Sequence, residues 1–270
     1  MTRPAIEPDE LVALAARLRA VGCVFAEDEA AILIDTAPDA AVREALVRRR
    51  ETGEPLESIV GWVEFGGVRL RTAPGVFVPR QRSVRIARAA AAAAVAVGAG
   101  GRPPVVVEAC CGVAPIAATV VAAVPMARVL VFDVDSTAVA AARSNLSTGA
   151  EGFVGSTLDV LPPELLGHLD LIAAVPPYVP DGARHLMPHD TLAFEPEAAV
   201  LGGDDGLDVA RVIITDAARW LAPGGRILLE LHRSQVRMAA AHAREHGLRP
   251  LRRAVSADAQ TGLFEARLGP

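Results

Sequence analysis

Apolar and charged residues alternate at helical spacing through residues 9–50. In the stretches DELVALAARLRAVG, AEDEAAILIDTA and DAAVREALVRRRETG, apolar positions recur every three or four residues, which is the spacing of an amphipathic helix. Gly22 and Pro38 fall between these stretches, and both residue types commonly end a helix. The pattern therefore predicts two or three short helices that form a small N-terminal domain over residues 1–58.

The period changes to two in residues 59–79, which read IVGWVEFGGVRLRTAPGVFVP. Apolar residues alternate with polar ones on both sides of Gly66-Gly67. A glycine pair between two alternating segments is a strong β-hairpin signal, because glycine adopts the positive φ angles of a tight hairpin turn. We expect a hairpin that links two domains over residues 59–80.

From residue 84 onward, runs of valine, leucine and isoleucine alternate with helical segments. Strands are expected at 104–110, 128–134, 169–175 and 225–232. Helices are expected at 84–98, 114–123, 137–147 and 207–221. Continuous apolar strands joined by helices form a mostly parallel sheet that is covered on both faces. The final segments, 249–256 and 261–269, are expected to close the sheet with antiparallel pairing at one edge, which gives an α/β domain over residues 81–270.

Composition removes several functional classes. The formal net charge is -5. Direct binding of nucleic-acid phosphates requires a strongly basic surface, which this charge does not indicate. The three cysteines fit neither a disulfide framework nor a metal-ligand spacing, which favours a reducing cytoplasm. The opening MTRPAIEPDE is unlike a signal peptide. The alanine-rich stretch 87–101 is shorter than the roughly twenty residues of a membrane span, so no membrane partner is expected.

Three of the predicted strands end in residues that are able to bind a ligand. Open α/β sheets hold ligands at the carboxyl ends of their strands. The first strand leads through Glu108 and two small cysteines to Gly112, and these let a ligand approach the backbone closely. The second ends in Asp133, about 20 residues further on, where an acid commonly binds a ribose diol. The third ends in the elbow V-P-P-Y, residues 175–178, whose prolines cannot continue a sheet ladder.

This ordered set resembles the class I S-adenosylmethionine-dependent methyltransferases, and within them the protein-(glutamine-N5) methyltransferase family of the HemK/PrmC type. VVVEACCGVAPIA is similar to the family's D-x-G-x-G-x-G cofactor loop, and VPPY stands where the family has N-P-P-Y. GVFVPRQRSV resembles V-P-R-x-x-T-E, FDVDSTAVAAARSN resembles the ribose-binding acid and its helix, and FEPEAAVLGGDDGLD resembles E-P-x-x-A-L-x-G-G-x-D-G-L-D. The resemblance spans nearly the whole chain and implies a seven-stranded Rossmann-like domain that binds S-adenosylmethionine.

The resemblance also implies roles for individual residues. The cofactor is expected to contact Phe77, Glu108, Cys110, Cys111, Gly112, Ala114, Asp133, Val134, Thr157, Leu158 and Val175. The catalytic elbow is expected to be Pro176, Pro177 and Tyr178. Substrate contacts are expected at Arg80, Val175, Pro176, Tyr178 and His185. In the family, such an elbow holds the amide of a release-factor glutamine against the methyl group, and no metal is implied.

Several positions depart from the family pattern. Val175 replaces the asparagine of N-P-P-Y and has no side-chain donor or acceptor, so a bound amide would lose a partner at a cost of about 1–3 kcal/mol. Ala114 replaces the third loop glycine, and its methyl group is expected to narrow the approach of the cofactor. Glu108 replaces an aspartate, and Val84 replaces the glutamate of T-E. We therefore expect the methyl acceptor to be altered.

For other polar residues near the predicted site, both a functional and a structural role are compatible with the sequence. These candidates are Arg80, Arg82, His185, His189, Asp190 and His232. The two arginines lie beside the domain junction, where they either bind an acidic substrate or are exposed to solvent. The residues after the elbow either supply a general base or form an exposed loop. The adjacent cysteines have no base beside them in the sequence and are expected to fill a turn and not to act as nucleophiles.

Two classes of function are compatible with these features. The first is methyl transfer to a nitrogen or oxygen acceptor, either a release-factor-like protein or a small molecule. The second is cofactor binding without methyl transfer, in a non-methylating reaction or in a scaffold that uses the helical domain to hold a partner. The sequence leaves the oligomeric state open.

Overall fold

The computed structural model describes residues 8–146, 150–187, 194–251, 254–255 and 260–269. The N-terminal helices are α1 (Pro8–Ala20), α2 (Ala26–Thr36), α3 (Ala40–Glu51) and α4 (Leu56–Val60). Gly22 ends the first helix with a φ of 94°, and Asp39 caps α3 by accepting a hydrogen bond from the Val42 amide at 2.9 Å. These helices share a hydrophobic core of their own that includes Leu18 and Leu33. The domain limits at residues 58 and 80 stay predictions.

The predicted hairpin is present as β1 (Trp62–Phe65) and β2 (Val68–Arg71), which pair in antiparallel register. Gly66 and Gly67 have φ angles of 60° and 94°, as a two-residue hairpin turn requires. Phe65 is fully buried in a core that it shares with the α/β domain. The side chain of Asn145 joins the Arg71 backbone through two hydrogen bonds of 2.7 and 2.9 Å, so the hairpin is fixed to that domain.

The α/β domain contains the larger sheet. Its strands are β3 (Val105–Ala109), β4 (Arg128–Asp133), β5 (Glu151–Val154), β6 (Leu169–Ala174), β7 (Leu221–His232), β8 (Leu248–Pro250), β9 (Ala254–Val255) and β10 (Thr261–Leu268). The strand order is β5-β4-β3-β6-β7-β10-β8, with the two-residue β9 paired to β10. β10 is antiparallel to β7 and β8, and the other main pairs are parallel. The mostly parallel Rossmann-like fold predicted from the sequence is therefore confirmed.

Helices cover both faces of this sheet. They are α5 (Val84–Gly98), α6 (Pro115–Ala123), α7 (Ser136–Asn145), α8 (Asp208–Trp220) and α9 (Val236–Glu245). Val106 and Val107 are neighbours on β3, yet they belong to two different hydrophobic cores. Successive side chains of a strand point to opposite faces, which explains why these strands are apolar at nearly every position.

The expectation did not include helix α4, and two strands also differ from it. β5 is not among the predicted strands, because its four residues, EGFV, are mostly half-buried and give no apolar run. β7 begins at Leu221 and not at residue 225, since its pairing with β6 shifts register between Leu169 and Leu171. The Ala-Pro-Gly-Gly segment of residues 222–225 lies within this irregular part of the strand.

No helix in the described part of the chain is long and apolar enough to cross a membrane. The alanine-rich stretch lies mainly in α5, where Ala87, Ala90 and Ala94 are buried against the sheet. Cys23, Cys110 and Cys111 are free thiols. The cytoplasmic setting stays a prediction.

Candidate active site

A cleft of about 1040 Å³, counted to its open mouth, lies at the carboxyl ends of β3, β4 and β6. The chain runs from β3 toward one sheet edge and from β6 toward the other, so the cleft occupies the switch point where open α/β sheets bind ligands. Among the predicted site residues, those that line the cleft are Phe77, Arg80, Glu108, Cys110, Cys111, Gly112, Asp133, Val134, Val175 and Pro177.

The loop between β3 and α6 has left-handed backbone at each position where the family pattern has glycine. The φ angles are 51° at Cys110, 50° at Gly112 and 61° at Ala114. Left-handed backbone costs a residue with a side chain roughly 1–2 kcal/mol, so two positions of this loop are strained. The Ala114 methyl group is buried in a hydrophobic core and does not line the cleft. The expectation that this methyl group narrows the approach of the cofactor stays a prediction.

Glu108 ties this loop to the following helix. Its two carboxyl oxygens accept hydrogen bonds from the amides of Ile116 and Ala117 at 3.2 and 2.6 Å. These amides lie in the first turn of α6, and Ala114 at the N-cap has no side-chain acceptor for them. Burial raises the pKa of Glu108 to about 8. Glu108 therefore accepts the hydrogen bonds that an N-cap side chain of α6 would otherwise accept. Its contact with the cofactor stays a prediction.

Asp133 joins the second strand end to the same loop. One of its oxygens accepts a hydrogen bond from the Gly112 amide at 3.0 Å, and the other accepts from the Asp135 amide at 3.1 Å. Burial raises the pKa of Asp133. Asp133 and Val134 both line the cleft, so the carboxylate borders the space in which a ligand would lie.

The elbow begins where β6 ends at Ala174. Val175 is half-buried, and Pro176 and Pro177 are buried. Val175 and Pro177 line the cleft, whereas Pro176 does not. A Cβ built on Gly202 would overlap the carbonyl oxygen of Pro177. The glycines of the segment LGGDDGLD therefore let the elbow backbone pack closely against this loop.

Hydrogen bonds from two other segments fix the elbow. The amide of Val179 donates to the Val200 carbonyl at 3.0 Å. The buried side chain of Gln235 donates to the Tyr178 carbonyl at 2.8 Å and to the Asp205 carbonyl at 2.9 Å. The rigidity of the elbow thus comes from tertiary contacts as well as from its prolines.

Tyr178 is half-buried and lies outside the cleft lining. Its hydroxyl oxygen accepts a hydrogen bond from Nη2 of Arg82 at 2.8 Å, and burial raises its pKa. Arg82 follows the hairpin in a short 3-10 helix, Gln81–Ser83. Arg82, which was expected either to bind substrate or to be exposed to solvent, thus fixes the end of the elbow.

Arg80 has a different partner. Its Nη2 donates to both carboxyl oxygens of Glu195 at 2.7 Å, and its guanidinium lies 4.9 Å from the centre of the Phe77 ring. The Glu195 side chain is almost completely buried, while that of Arg80 is about one-third exposed. A buried carboxylate therefore holds this guanidinium at the cleft wall.

Four of the remaining candidates, all in the described part of the chain, do not line the cleft. Leu158 is fully buried in a hydrophobic core, and Thr157 is half-buried beside it, whereas Ser156 lines the cleft. His185 is exposed on a 3-10 helix, and His232 is exposed and bonded to Ser234 at 2.7 Å. His189 and Asp190 lie outside the described residues. Ligand roles for this group stay predictions.

Sequence reasoning missed residues that come from the far end of β7. Glu230 is buried and accepts a hydrogen bond from the Ser83 hydroxyl at 2.9 Å, and Ser83 lines the cleft. A carboxylate inside the apolar run ILLEL was the available signal, because buried carboxylates are rarely without a specific partner. Gln235 gave no comparable signal.

Comparison with known proteins gives close relatives for most of the chain. No protein-family model matches it. The chain is 42% identical over 186 residues to a 4-amino-L-phenylalanine/4-methylamino-L-phenylalanine methyltransferase of Streptomyces pristinaespiralis, which covers 68% of this chain and 63% of that protein. It is 35% identical over 199 residues to the release factor glutamine methyltransferase of Mycolicibacterium smegmatis, covering 73% of this chain and 68% of that protein.

Solved structures agree on the fold. The ribosomal protein L11 methylase of Lactobacillus delbrueckii subsp. bulgaricus has a TM-score of 0.51 at 15% identity, and the match covers 74% of this chain and 85% of that one. Fold, cleft and relatives together define a class I S-adenosylmethionine-dependent methyltransferase. The protein is thus an enzyme whose cofactor is S-adenosylmethionine, and the scaffold reading is set aside. Within this class, the chain belongs to the protein-(glutamine-N5) methyltransferase family of the HemK/PrmC type.

The cleft fits this cofactor. It combines a close-approaching glycine backbone at Gly112, a carboxylate at Asp133 and apolar walls that include Phe132 and Val134. These are the elements that a nucleoside with a ribose diol requires.

Proposed function

We propose that this enzyme methylates the arylamine nitrogen of a small aromatic amino acid in preference to the side-chain amide of a release-factor glutamine. Val175 carries the proposal: it lines the cleft at the elbow and has no polar side-chain atom where the family pattern has asparagine. A planar amide held there would lack a hydrogen-bond partner. The Streptomyces relative is named for methylation of 4-amino-L-phenylalanine and its methylamino derivative, which supports this class of acceptor.

The cleft wall away from the tips of β3 and β4 is almost entirely apolar. Its apolar residues are Val76, Phe77, Pro79, Val175, Pro177, Pro196, Ala198, Ala199 and Val209. Apart from Ser156 beyond β5, Arg80 and Ser83 are the polar residues of this wall in the described part of the chain. A flat aromatic ring suits such a wall better than a polar main-chain segment does, because it buries apolar surface without leaving amides unpaired.

The chemistry of an arylamine also suits the elbow. S-adenosylmethionine supplies an electrophilic methyl group when it is bound. An amide nitrogen is a weak nucleophile because its lone pair is delocalised into the carbonyl group, whereas an arylamine nitrogen keeps more of its lone pair. Methylation of an arylamine nitrogen therefore depends mainly on how the acceptor is placed and on the exclusion of water. The rigid Pro176-Pro177 backbone and the Val175 side chain are suited to both tasks.

Arg80 is proposed to bind the carboxylate of the amino-acid acceptor. Within the described part of the chain, only Nη2 of its guanidinium is hydrogen-bonded, and that bond goes to Glu195. The remaining N–H groups can therefore form the paired bonds that a carboxylate accepts. We place the reaction in a reducing cytoplasm, which the three free cysteines support.

A release-factor glutamine is the second candidate acceptor. The retained Pro-Pro-Tyr segment and the identity with the Mycolicibacterium relative favour it. Both candidates use the same cofactor, so the acceptor alone distinguishes them.

The test compares two acceptors and three proteins. Wild type, Val175→Asn and Val175→Thr are assayed for S-adenosylhomocysteine production with 4-amino-L-phenylalanine and with an unmodified release factor. We expect the wild type to use the amino acid, and Val175→Asn to gain about tenfold or more on the release factor, from roughly 1–3 kcal/mol of restored amide bonding. Val175→Thr is the matched control, because it keeps the volume of valine without supplying an amide.

The proposal fails if the wild type leaves 4-amino-L-phenylalanine unmodified. It also fails if the wild type methylates the release factor as fast as Val175→Asn does. Calorimetry with S-adenosylmethionine, done in parallel, shows whether any inactive protein still binds the cofactor.

A further inference from the structure

Three segments that are distant in sequence meet behind the elbow. Arg82 comes from the linker, Tyr178 from the end of the elbow and Glu230 from β7. Arg82 Nη2 donates to the Tyr178 hydroxyl at 2.8 Å, and its Nε lies 3.8 Å from Oε1 of Glu230. The same Glu230 oxygen accepts a hydrogen bond from the cleft-lining Ser83 at 2.9 Å. The arrangement connects the cleft wall to the hydroxyl of Tyr178.

The fold alone gives no reason for a carboxylate at this place. The Glu230 side chain is 1% exposed, and that of Arg82 is 33% exposed. Replacing a buried ion pair by apolar residues of similar volume is often neutral or stabilising. Leu228, two positions earlier on the same face of β7, is buried and apolar, so this face of the strand could accommodate an apolar residue. The charged pair therefore suggests a requirement other than stability.

The contact also fixes the direction of the Tyr178 hydroxyl. A guanidinium can only donate hydrogen bonds, so the phenolic oxygen must accept from Arg82 and its own hydrogen points elsewhere. The Tyr178 carbonyl is held separately by Gln235 at 2.8 Å. The ring is thus anchored at both its backbone and its hydroxyl end, next to the two prolines that form the elbow.

We propose that Arg82 and Glu230 are positioning residues for methyl transfer, acting through Tyr178. Glu230 orients the Arg82 guanidinium, and Arg82 holds the Tyr178 ring so that the elbow presents the acceptor at a fixed distance from the methyl group. This role rests on methyl transfer at the elbow and applies to either acceptor. Misplacing an acceptor by about 1 Å can lower the rate about 100-fold, so the loss should fall mainly on kcat.

The test uses the full-length variants Arg82→Met, Arg82→Lys, Glu230→Gln and Tyr178→Phe. With 4-amino-L-phenylalanine, we expect kcat of Arg82→Met to fall about 10- to 100-fold. Arg82→Lys should recover part of this loss, because an ammonium also donates to a phenolic oxygen. Glu230→Gln keeps the shape of the side chain and should lower kcat in the same direction, so it carries the test even if Arg82→Met does not fold.

A double-variant cycle separates positioning from general destabilisation. If Arg82 acts through the Tyr178 hydroxyl, the double variant Arg82→Met/Tyr178→Phe should be within about twofold of the slower single variant, because coupled contacts are not additive. Calorimetric binding of S-adenosylmethionine should change less than about twofold, since the predicted cofactor contacts include neither Arg82 nor Tyr178 nor Glu230. Additive losses in kcat, an unchanged kcat in Arg82→Met, or a parallel loss of cofactor affinity would each overturn the proposal.

Failure of the acceptor assignment remains distinguishable. A wild type that leaves 4-amino-L-phenylalanine unmodified contradicts the proposed function, and the same variants are then assayed with the release factor. A wild type that turns over either acceptor while Arg82→Met matches it contradicts the positioning role alone.

Discussion

The carbonyl oxygen of Tyr178 packs against Gly206 so closely that a Cβ built on this glycine would overlap that oxygen. The same hypothetical Cβ would also meet the side-chain amide of Gln235, which donates to the Tyr178 carbonyl. The glycine in the segment DDGLD is therefore required by the elbow, about 28 residues earlier in the chain and joined to it only by folding.

Replacing Gly206 by alanine should displace the elbow. We expect Gly206→Ala to lower kcat/KM by at least about tenfold, because Tyr178 and Gln235 must move to make room. Gly75 is a matched control: its φ is the same 75°, but nothing lies within 4 Å of its hypothetical Cβ. Gly75→Ala thus carries the backbone strain without the overlap, and equal loss of activity in both variants would disprove this explanation.

Gly112 should be needed for its backbone conformation. Its φ is 50°, and a Cβ there would meet only the Phe77 carbonyl at an ordinary 3.8 Å. Gly112→Ala should therefore reduce the free energy of unfolding by about 1–2 kcal/mol, the cost of left-handed backbone. Urea denaturation provides the measurement. Gly182→Ala, at an open position without positive φ, should change it by less than about 0.5 kcal/mol, and similar values for both variants would refute the argument.

Glu108 should make stability depend on pH. Burial raises its pKa to about 8 in the folded protein, compared with about 4.3 in an unfolded chain. Because the pKa is raised in the folded state, Glu108 contributes fully to the free energy of unfolding below about pH 4. This contribution is lost as the pH rises toward 8. Between pH 5 and 8, the unfolding free energy of the wild type should fall relative to Glu108→Gln, by at most about 1.4 kcal/mol per pH unit.

Denaturant unfolding at several pH values measures this slope. Glu164→Gln changes an exposed glutamate and should keep the wild-type slope. Parallel curves for wild type and Glu108→Gln would show that Glu108 is not the titrating group.

Asp133 should determine cofactor affinity. Asp133→Asn can still accept the Gly112 amide bond but loses the charge and one acceptor that a ribose diol uses. We expect the Kd for S-adenosylmethionine to rise about tenfold or more, as for the loss of a charged hydrogen bond. Calorimetry on the variant and on Asp159→Asn, whose exposed carboxylate pairs with Arg219 outside the cleft, checks this. An unchanged Kd for Asp133→Asn would remove it from the cofactor site.

Local pattern was sufficient to predict most of the fold. Period-two alternation around Gly66-Gly67 and the apolar runs at β3, β4 and β6 follow from side-chain direction alone, which is a property of single strands. Helix α5 has the predicted bounds, Val84–Gly98, because a long apolar stripe determines its burial. Strand β5 was missed because its short segment acquires its structure by pairing with β4.

By itself, the sequence determined the order of elements and the chemistry available at the strand ends, since both depend on residues close together in the chain. Only the tertiary structure decided how those residues are used. It buried Ala114 in the core and bonded both Glu108 oxygens to amides of α6. It also placed Ser156, and not Thr157, in the lining of the cleft. It also brought Arg82 to the Tyr178 hydroxyl, a contact between residues 96 positions apart. Hydrogen bonds and close packing act between neighbours in space, and such neighbours are fixed only when the sheet and its loops have assembled.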